Sequence, residues 1–287
     1  MRLVTMAGGG AALLDDKGMA PLIDGAGAAL SMIEVIEHAG RAGLGALGAL
    51  ANGTAGEVGD LAAPIPLPGA VIAAPVNYVD HMTEMSEVRD IRSLGLFLKA
   101  RSSVTGPGST VVLPYTDRRF DQEGELGVVI GSVSENVPVN EALDHVFGYT
   151  CLLDITMRGG EDRSTRKSFR TFTPTGPSIV TADEVGDPGT LLLTCSVSGV
   201  ERQKALTSDL IWSVPQLVAY ASSVMTLYPG DIIASGTPEG VGPIVGGDTI
   251  EVSIERVGTL AVAVSDAGAT PCPTLGAGSG PVPPPAR

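Results

Sequence analysis

The chain has 287 residues, enough to bury a sizeable core, and carries 18 Lys and Arg against 32 Asp and Glu for a formal net charge of −14. A field of that sign repels phosphate backbones and anionic lipid surfaces, so neither nucleic acid nor a membrane is expected as a partner. No stretch nears the roughly 20 apolar residues of a membrane span, and the only apolar run of residues 1–18 is broken by Asp15-Asp16, so no secretory leader is expected either. Cys151, Cys195 and Cys272 form no CxxC pair, which argues against a disulfide framework or zinc site and for a reducing cytoplasm.

Residues 1–66 are rich in Ala and Gly and read as a small N-terminal α/β accessory region. One helix is clear there, because Ser31 and Glu34 have capping-box spacing ahead of Ile33, Val35 and Ile36. Three prolines in Leu61-Ala-Ala-Pro-Ile-Pro-Leu-Pro68 suit an extended connector. Residues 67–268 form the main domain, with short strands expected at 111–113, 126–130, 191–197, 231–234, 249–255 and 259–264. A helix interrupts them where Ser213 and Gln216 repeat the capping-box spacing and Leu217, Val218, Ala221 and Val224 follow at helical intervals. The fold class is mixed α/β and strand-dominated. Residues 269–287, rich in Pro and Gly, cannot bury enough apolar surface to offset the entropy of ordering and are expected as a disordered tail.

Chemistry concentrates in three places. In Asp121-Gln-Glu-Gly-Glu-Leu-Gly-Val-Val-Ile-Gly131, alternation puts Glu123 and Glu125 on one strand face, roughly 6.8 Å apart, and Leu126, Val128 and Ile130 on the other. An ExE repeat alone more often describes the wet face of a half-buried strand. Asp154, in Cys-Leu-Leu-Asp-Ile-Thr-Met, changes the balance, since an acid flanked by apolar residues is seldom buried without a partner. Three carboxylates form an all-oxygen set for one hard cation, Mg²⁺ first, with Mn²⁺ or Ca²⁺ as alternatives. In Asn77-Tyr-Val-Asp-His-Met-Thr-Glu84, Asn77 is placed to cap a short helix on which His81 and Glu84 are i, i+3 neighbours. A carboxylate beside imidazole orients the ring as a general base; the same spacing also describes a surface pair.

The polar stretch 158–167, Arg-Gly-Gly-Glu-Asp-Arg-Ser-Thr-Arg-Lys, is either a solvated loop or a lid that brings Lys167 and an Arg to an anionic substrate. Ser235-Gly-Thr-Pro-Glu-Gly240 is either a plain turn or a cradle for a substrate carboxylate.

Together with Phe97-Leu-Lys99, Gly148-Tyr-Thr-Cys-Leu-Leu-Asp154, Lys167-Ser-Phe, Gly176-Pro177, Pro229-Gly-Asp231 and Gly236-Thr-Pro-Glu-Gly240, these segments fall in an order that resembles the fumarylacetoacetate hydrolase (FAH) family. The resemblance implies a twisted β-roll, in homodimers, with a less regular N-terminal region. It implies Glu123, Glu125 and Asp154 as Mg²⁺ ligands, His81 with Glu84 as the water-activating dyad, and Lys167 as the group that stabilises an oxyanion. Thr237, Glu161, Arg158, Lys99 and Tyr78 are the substrate contacts expected with it. Glu161 departs from the family, many members of which carry Gln there; an ionised Glu cannot donate a hydrogen bond.

The expected function is cation-dependent hydrolysis of a carbon-carbon bond in an acylpyruvate-like or other 1,3-dicarbonyl oxo-acid. Decarboxylation or tautomerisation of a β-oxo acid on the same scaffold is the alternative, and a non-catalytic, repurposed member is the further one.

Overall fold

The computed structural model describes residues 1–52 and 59–285. Among these, a mixed sheet runs through the molecule in the spatial order Gly18–Pro21, Ala11–Asp15, Arg2–Met6, Thr173–Thr181, Val146–Leu153, Gly124–Ile130, Ile232–Ala234, Val71–Ala73 and Phe97–Lys99. Across one face lies a second sheet, ordered Val200–Leu206, Leu192–Val197, Thr249–Ile254, Gly258–Ser265 and Thr110–Val112. The six strands expected from alternation are all present within two residues of their expected bounds.

Strand parity explains why the large sheet has two covers. In Gly124–Ile130, Leu126, Val128 and Ile130 enter a core shared with Leu193, Val252 and Ile254 of the second sheet and with Leu217 and Ala221 of the helix Val214–Val224. Val129 faces the other way and packs with Phe147, Leu152 and the helix Met32–Ala42 through Val35 and Ile36. Both helices open as their spacing requires: Glu34 reaches back to the Ser31 N–H at 2.7 Å, and Gln216 to the Ser213 N–H at 2.9 Å. Every residue of Gly124–Ile130 is therefore buried, where the pattern suggested one wet face. The face that carries Glu125 is a second core, open only at its end.

The N-terminal region belongs to this frame. Arg2–Met6 pairs antiparallel with Thr173–Thr181, Leu3 opposite Ile179, and its helix closes the second core. The connector's Pro64 carbonyl accepts the Thr5 hydroxyl at 2.6 Å. At the other end, where a disordered tail is expected, residues 269–285 carry no helix or strand but lie along the body. The Gly160 N–H donates to the Gly276 carbonyl at 3.0 Å, Arg118 donates to the Thr274 carbonyl at 2.5 Å, and Arg119 donates to the Pro284 carbonyl.

The close approach of Val146–Leu153 to Thr173–Thr181 depends on Gly148, where a Cβ would strike the Val180 carbonyl oxygen and come within 3.0 Å of the Thr181 Cα. Gly148→Ala is expected to cost about 1–3 kcal/mol by forcing the strands apart. Urea unfolding checks this, as a lower midpoint at unchanged slope.

Candidate active site

Antiparallel register brings the acids together. Gly124 lies opposite Leu153, and the next backbone bond, from the Asp154 N–H to the Glu123 carbonyl at 2.8 Å, sets Asp154 beside Glu123. On the other flank Gly127 pairs with Ala234, which carries the chain on so that the Gly236 N–H donates to Glu125 Oε2 at 2.7 Å. Gly236 has a φ of +96°, and a Cβ there would press on Asn77 Cβ at 2.7 Å, so only glycine suits this approach. One carboxylate oxygen from each of Glu123, Glu125 and Asp154 then lies within 4.8 Å of the others, all three side chains buried.

Cationic side chains surround them. Lys167 Nζ donates to Glu123 Oε2 at 2.6 Å and to Asp154 Oδ2 at 2.5 Å, with the Phe97 ring 5.6 Å away. Arg158 donates through Nη2 to Glu123 Oε1 at 2.9 Å and through Nε to Asp121 Oδ2 at 2.7 Å. Burial disfavours the charge on Glu123, yet Lys167 and Arg158 hold it well below the usual carboxylate range. Glu125 has no such partner. Burial and then the negative charge of Asp154 push it well above that range.

A hard divalent cation fits this geometry. The donors are all carboxylate oxygens, close enough to converge, and the strain on Glu125 is of the kind that a cation between the three acids would relieve. Among the described residues no nitrogen or sulfur donor joins the group, which sets it apart from a zinc site.

His81 lines the same cleft, on the short helix Val79–Glu84. Its Nδ1 lies 3.2 Å from Glu84 Oε2, while Glu84 Oε1 accepts the Gly240 N–H at 2.9 Å. A carboxylate can only accept, so Nδ1 carries the ring proton when the imidazole is neutral, and Nε2 is left as the basic nitrogen. Asn77 does not cap this helix, as its spacing suggested. Tyr78 occupies the cap position, and the Asn77 amide instead ties the Trp212 and Ser235 carbonyls at 2.9 and 2.8 Å, joining the helix to the turn that carries Thr237.

The expected substrate contacts divide. Thr237 and Arg158 line the cleft. Thr237 Oγ1 donates to the Gly124 carbonyl at 3.0 Å and accepts from Gln203 at 2.8 Å. Lys99 stands behind the acids instead: fully buried, it is ion-paired with Asp154 and donates to the Phe172 carbonyl at 2.9 Å, so it holds a candidate ligand in place. Tyr78 is likewise packed away, its hydroxyl buried without a partner and its pKa raised by burial and by the nearby charge of Glu125. Glu161 does not line the cleft. It turns to Arg118 at 3.5 Å and to Thr274, whose hydrogen bond, with the Arg118 charge, keeps Glu161 below the usual range.

Two contributors were not singled out from the sequence. Gln203 accepts the Gly124 N–H at 2.8 Å and donates to Thr237 and the Pro238 carbonyl, so it fixes the acid-bearing strand against the turn. The run Val197-Ser-Gly-Val-Glu-Arg-Gln203 was its only signal. Arg166 lines the cleft beside Lys167, and the adjacency of two cations after a helix cap was its signal.

Comparisons with known proteins give the chain a family. The family described as "Fumarylacetoacetate (FAA) hydrolase C-terminal" matches residues 70–265. A maleylpyruvate hydrolase of Aquipseudomonas alcaligenes is 47% identical over 215 residues, 71% of this chain and 75% of that protein. The mitochondrial oxaloacetate tautomerase FAHD2B of Homo sapiens is 37% identical over 211 residues, 69% of this chain and 67% of its own. Among solved structures, the maleylpyruvate hydrolase from Sphingobium sp. SYK-6 in complex with manganese (II) ion and pyruvate has 40% identity. It covers 93% of this chain and 99% of its own, with a TM-score of 0.78. On the strength of the match over 70–265 and of these relatives, the chain belongs to the fumarylacetoacetate hydrolase family.

Proposed function

We propose that this protein is a divalent-cation-dependent hydrolase that cleaves a carbon-carbon bond in an acylpyruvate-like or other 1,3-dicarbonyl oxo-acid. The observation that carries this is the meeting, in one cleft, of three carboxylates able to hold a cation and a His81 whose Nδ1 is engaged by Glu84. The relatives named maleylpyruvate hydrolase support it. Glu123, Glu125 and Asp154 would hold the cation, which when bound polarises the oxo-acid oxygens as a Lewis acid. Mg²⁺ is the ion we assign, from the all-oxygen donor set. A homodimer is proposed with it on the family resemblance, and a cytoplasmic setting on the free thiols of Cys151, Cys195 and Cys272.

His81 removes a proton from water at Nε2, and Glu84, itself fixed by the Gly240 N–H, stabilises the imidazolium that forms. The hydroxide adds to the carbonyl distal to the oxo-acid. Lys167 then stabilises the oxyanion, and Thr237 and Arg158 position the acid end. The bond to the methylene carbon breaks, its electron pair stays with the pyruvate portion as an enolate that takes back the proton held by His81, and the acyl portion leaves as a carboxylic acid that ionises to solvent.

His81→Ala is expected to lower kcat about 10²–10⁴-fold, with the Mn²⁺ affinity of the protein unchanged. Normal turnover of an acylpyruvate by this variant would refute the assignment of the base.

Proton transfer without addition of water is the second reading, favoured by the tautomerase among the relatives. It needs the same dyad and cation but no hydroxide. Reaction in ¹⁸O water separates the two, since only hydrolysis places solvent oxygen in the new carboxylate. A non-catalytic member has less support, because His81, Glu84, Lys167 and all three acids are kept in one cleft or against it.

The cation itself can be tested without a substrate. Glu125→Gln replaces a carboxyl whose ionisation burial and the neighbouring acids oppose with a neutral amide that keeps an oxygen to accept the Gly236 N–H, so the variant is expected to melt above the metal-free native protein. Mn²⁺ at about 100 times its Kd should stabilise the native protein by about 2.7 kcal/mol and the variant far less. Thermal melts with and without Mn²⁺ check both halves.

A further inference from the structure

Two cationic side chains of the cleft, Arg163 and Arg166, take no part in the hydrolytic scheme, and Arg166 is the one left without a counter-ion among the described residues. Arg166 ends the short helix Arg163–Arg166, which is capped by Asp162 through the Ser164 N–H at 2.8 Å. Its side chain lines the cleft and is 4% exposed, yet Nε and Nη1 have no hydrogen-bond partner among the described residues. Its neighbours are all answered: Arg158 by Asp121 and Glu123, Lys167 by Glu123 and Asp154, Arg163 by Glu87 at 3.8 Å. Buried guanidinium donors left unmade are costly, and a buried cation without a counter-ion more so. Burial and the charge of Arg158 both work against the charge on Arg166.

The charge of the cleft points the same way. Its wall carries four cationic side chains, Arg158, Arg163, Arg166 and Lys167. Four acids face them, Glu87, Glu123, Glu125 and Asp154, so the lining is balanced before a cation is added. With the acids ionised, a divalent cation on the three clustered ones leaves an excess of two positive charges, Lys99 behind Asp154 being offset by Asp121 behind Arg158. An oxo-monoacid leaves part of that excess unanswered; an oxo-acid with a second carboxylate answers it. The rest of the wall includes Ala74, Val76, Met85, Phe97 and Pro281, apolar surface suited to a carbon chain between two acidic ends.

We infer that Arg166 receives a second carboxylate of the substrate, so that the cleft selects oxo-diacids over oxo-monoacids of the same chain length. The planar fork of the guanidinium can take both oxygens of a carboxylate, and its position in a desolvated wall makes the pairing specific. Arg166 is a specificity-determining residue, apart from the water-activating dyad.

The inference rests on the oxo-acid reading of the cation site, and binding measured without turnover keeps the two apart. Calorimetry on Mn²⁺-loaded protein compares two chain-matched pairs, 2-oxopentanoate with 2-oxoglutarate and 2-oxohexanoate with 2-oxoadipate. The native protein is expected to bind the diacid of at least one pair tenfold or more tighter than its monoacid. In Arg166→Gln that advantage should fall below twofold while Mn²⁺ still binds, and Arg166→Lys, which keeps the charge but loses the fork, should retain part of it. Equal affinities within both pairs for the native protein overturn the inference and leave the oxo-acid reading standing, as does a diacid advantage that survives Arg166→Gln. Failure of all four compounds to bind the Mn²⁺-loaded protein overturns both.

Discussion

Three carboxylates within 4.8 Å of one another can stay buried only if positive charge is supplied at the same spot, and much of the surrounding structure meets that demand. Lys167 bridges Glu123 and Asp154, Lys99 pairs with Asp154 from behind, and Arg158 ties Glu123 to Asp121. These partners come from three separate parts of the chain, so the charge cluster also fastens the edge strand Phe97–Lys99 and the helix Arg163–Arg166 to the central sheet. Glu125 is the exception. It has a single backbone donor, that of Gly236, and no cation of its own, which makes it the acid with most to gain from a bound ion.

The fold supports this by covering both faces of Gly124–Ile130 and leaving only one end of it open. Along the face shared by Glu123, Glu125 and Val129, the helix Met32–Ala42 covers Val129 and the cleft begins at Glu125. The N-terminal region is therefore what excludes water from the far side of the site, although it lies outside the residues that the family match spans. Excluding water strengthens each ion pair around the acids and also makes an unanswered charge such as that of Arg166 more costly.

Much of this was legible in the sequence where local chemistry alone decides. The capping boxes at Ser31 and Ser213, the alternating strands of the second sheet and the i, i+3 spacing of His81 and Glu84 depend on near neighbours only. What escaped depends on distant ones. Thr173–Thr181 contains Pro174, Gly176 and Pro177, which argue locally against a strand, yet it is held between Val146–Leu153 and Arg2–Met6. Val146–Leu153 is buried on both faces and shows no alternation to read. Tyr78 and Lys99 sit in motifs that mark the site, but a motif cannot tell the side of a carboxylate facing substrate from the side facing the core.

Glu161 shows how the same limit bears on specificity. At the position where the family resemblance implies a Gln, its carboxylate is drawn to Arg118 and Thr274. Arg118 also donates to the Thr274 carbonyl, so the three groups clamp the C-terminal stretch against the loop that leads to Arg166. Along that stretch Pro281 reaches the cleft and forms part of its wall, beyond the end of the family match at residue 265. In the proposed hydrolysis the oxyanion is then left to Lys167, while Pro281 shapes the outer wall from beyond the residues that the family match spans. In the proposed scheme, the groups that would hold a cation and activate water thus come from the strands and the short helix of the family match, while the wall facing the rest of a substrate draws also on residues beyond it.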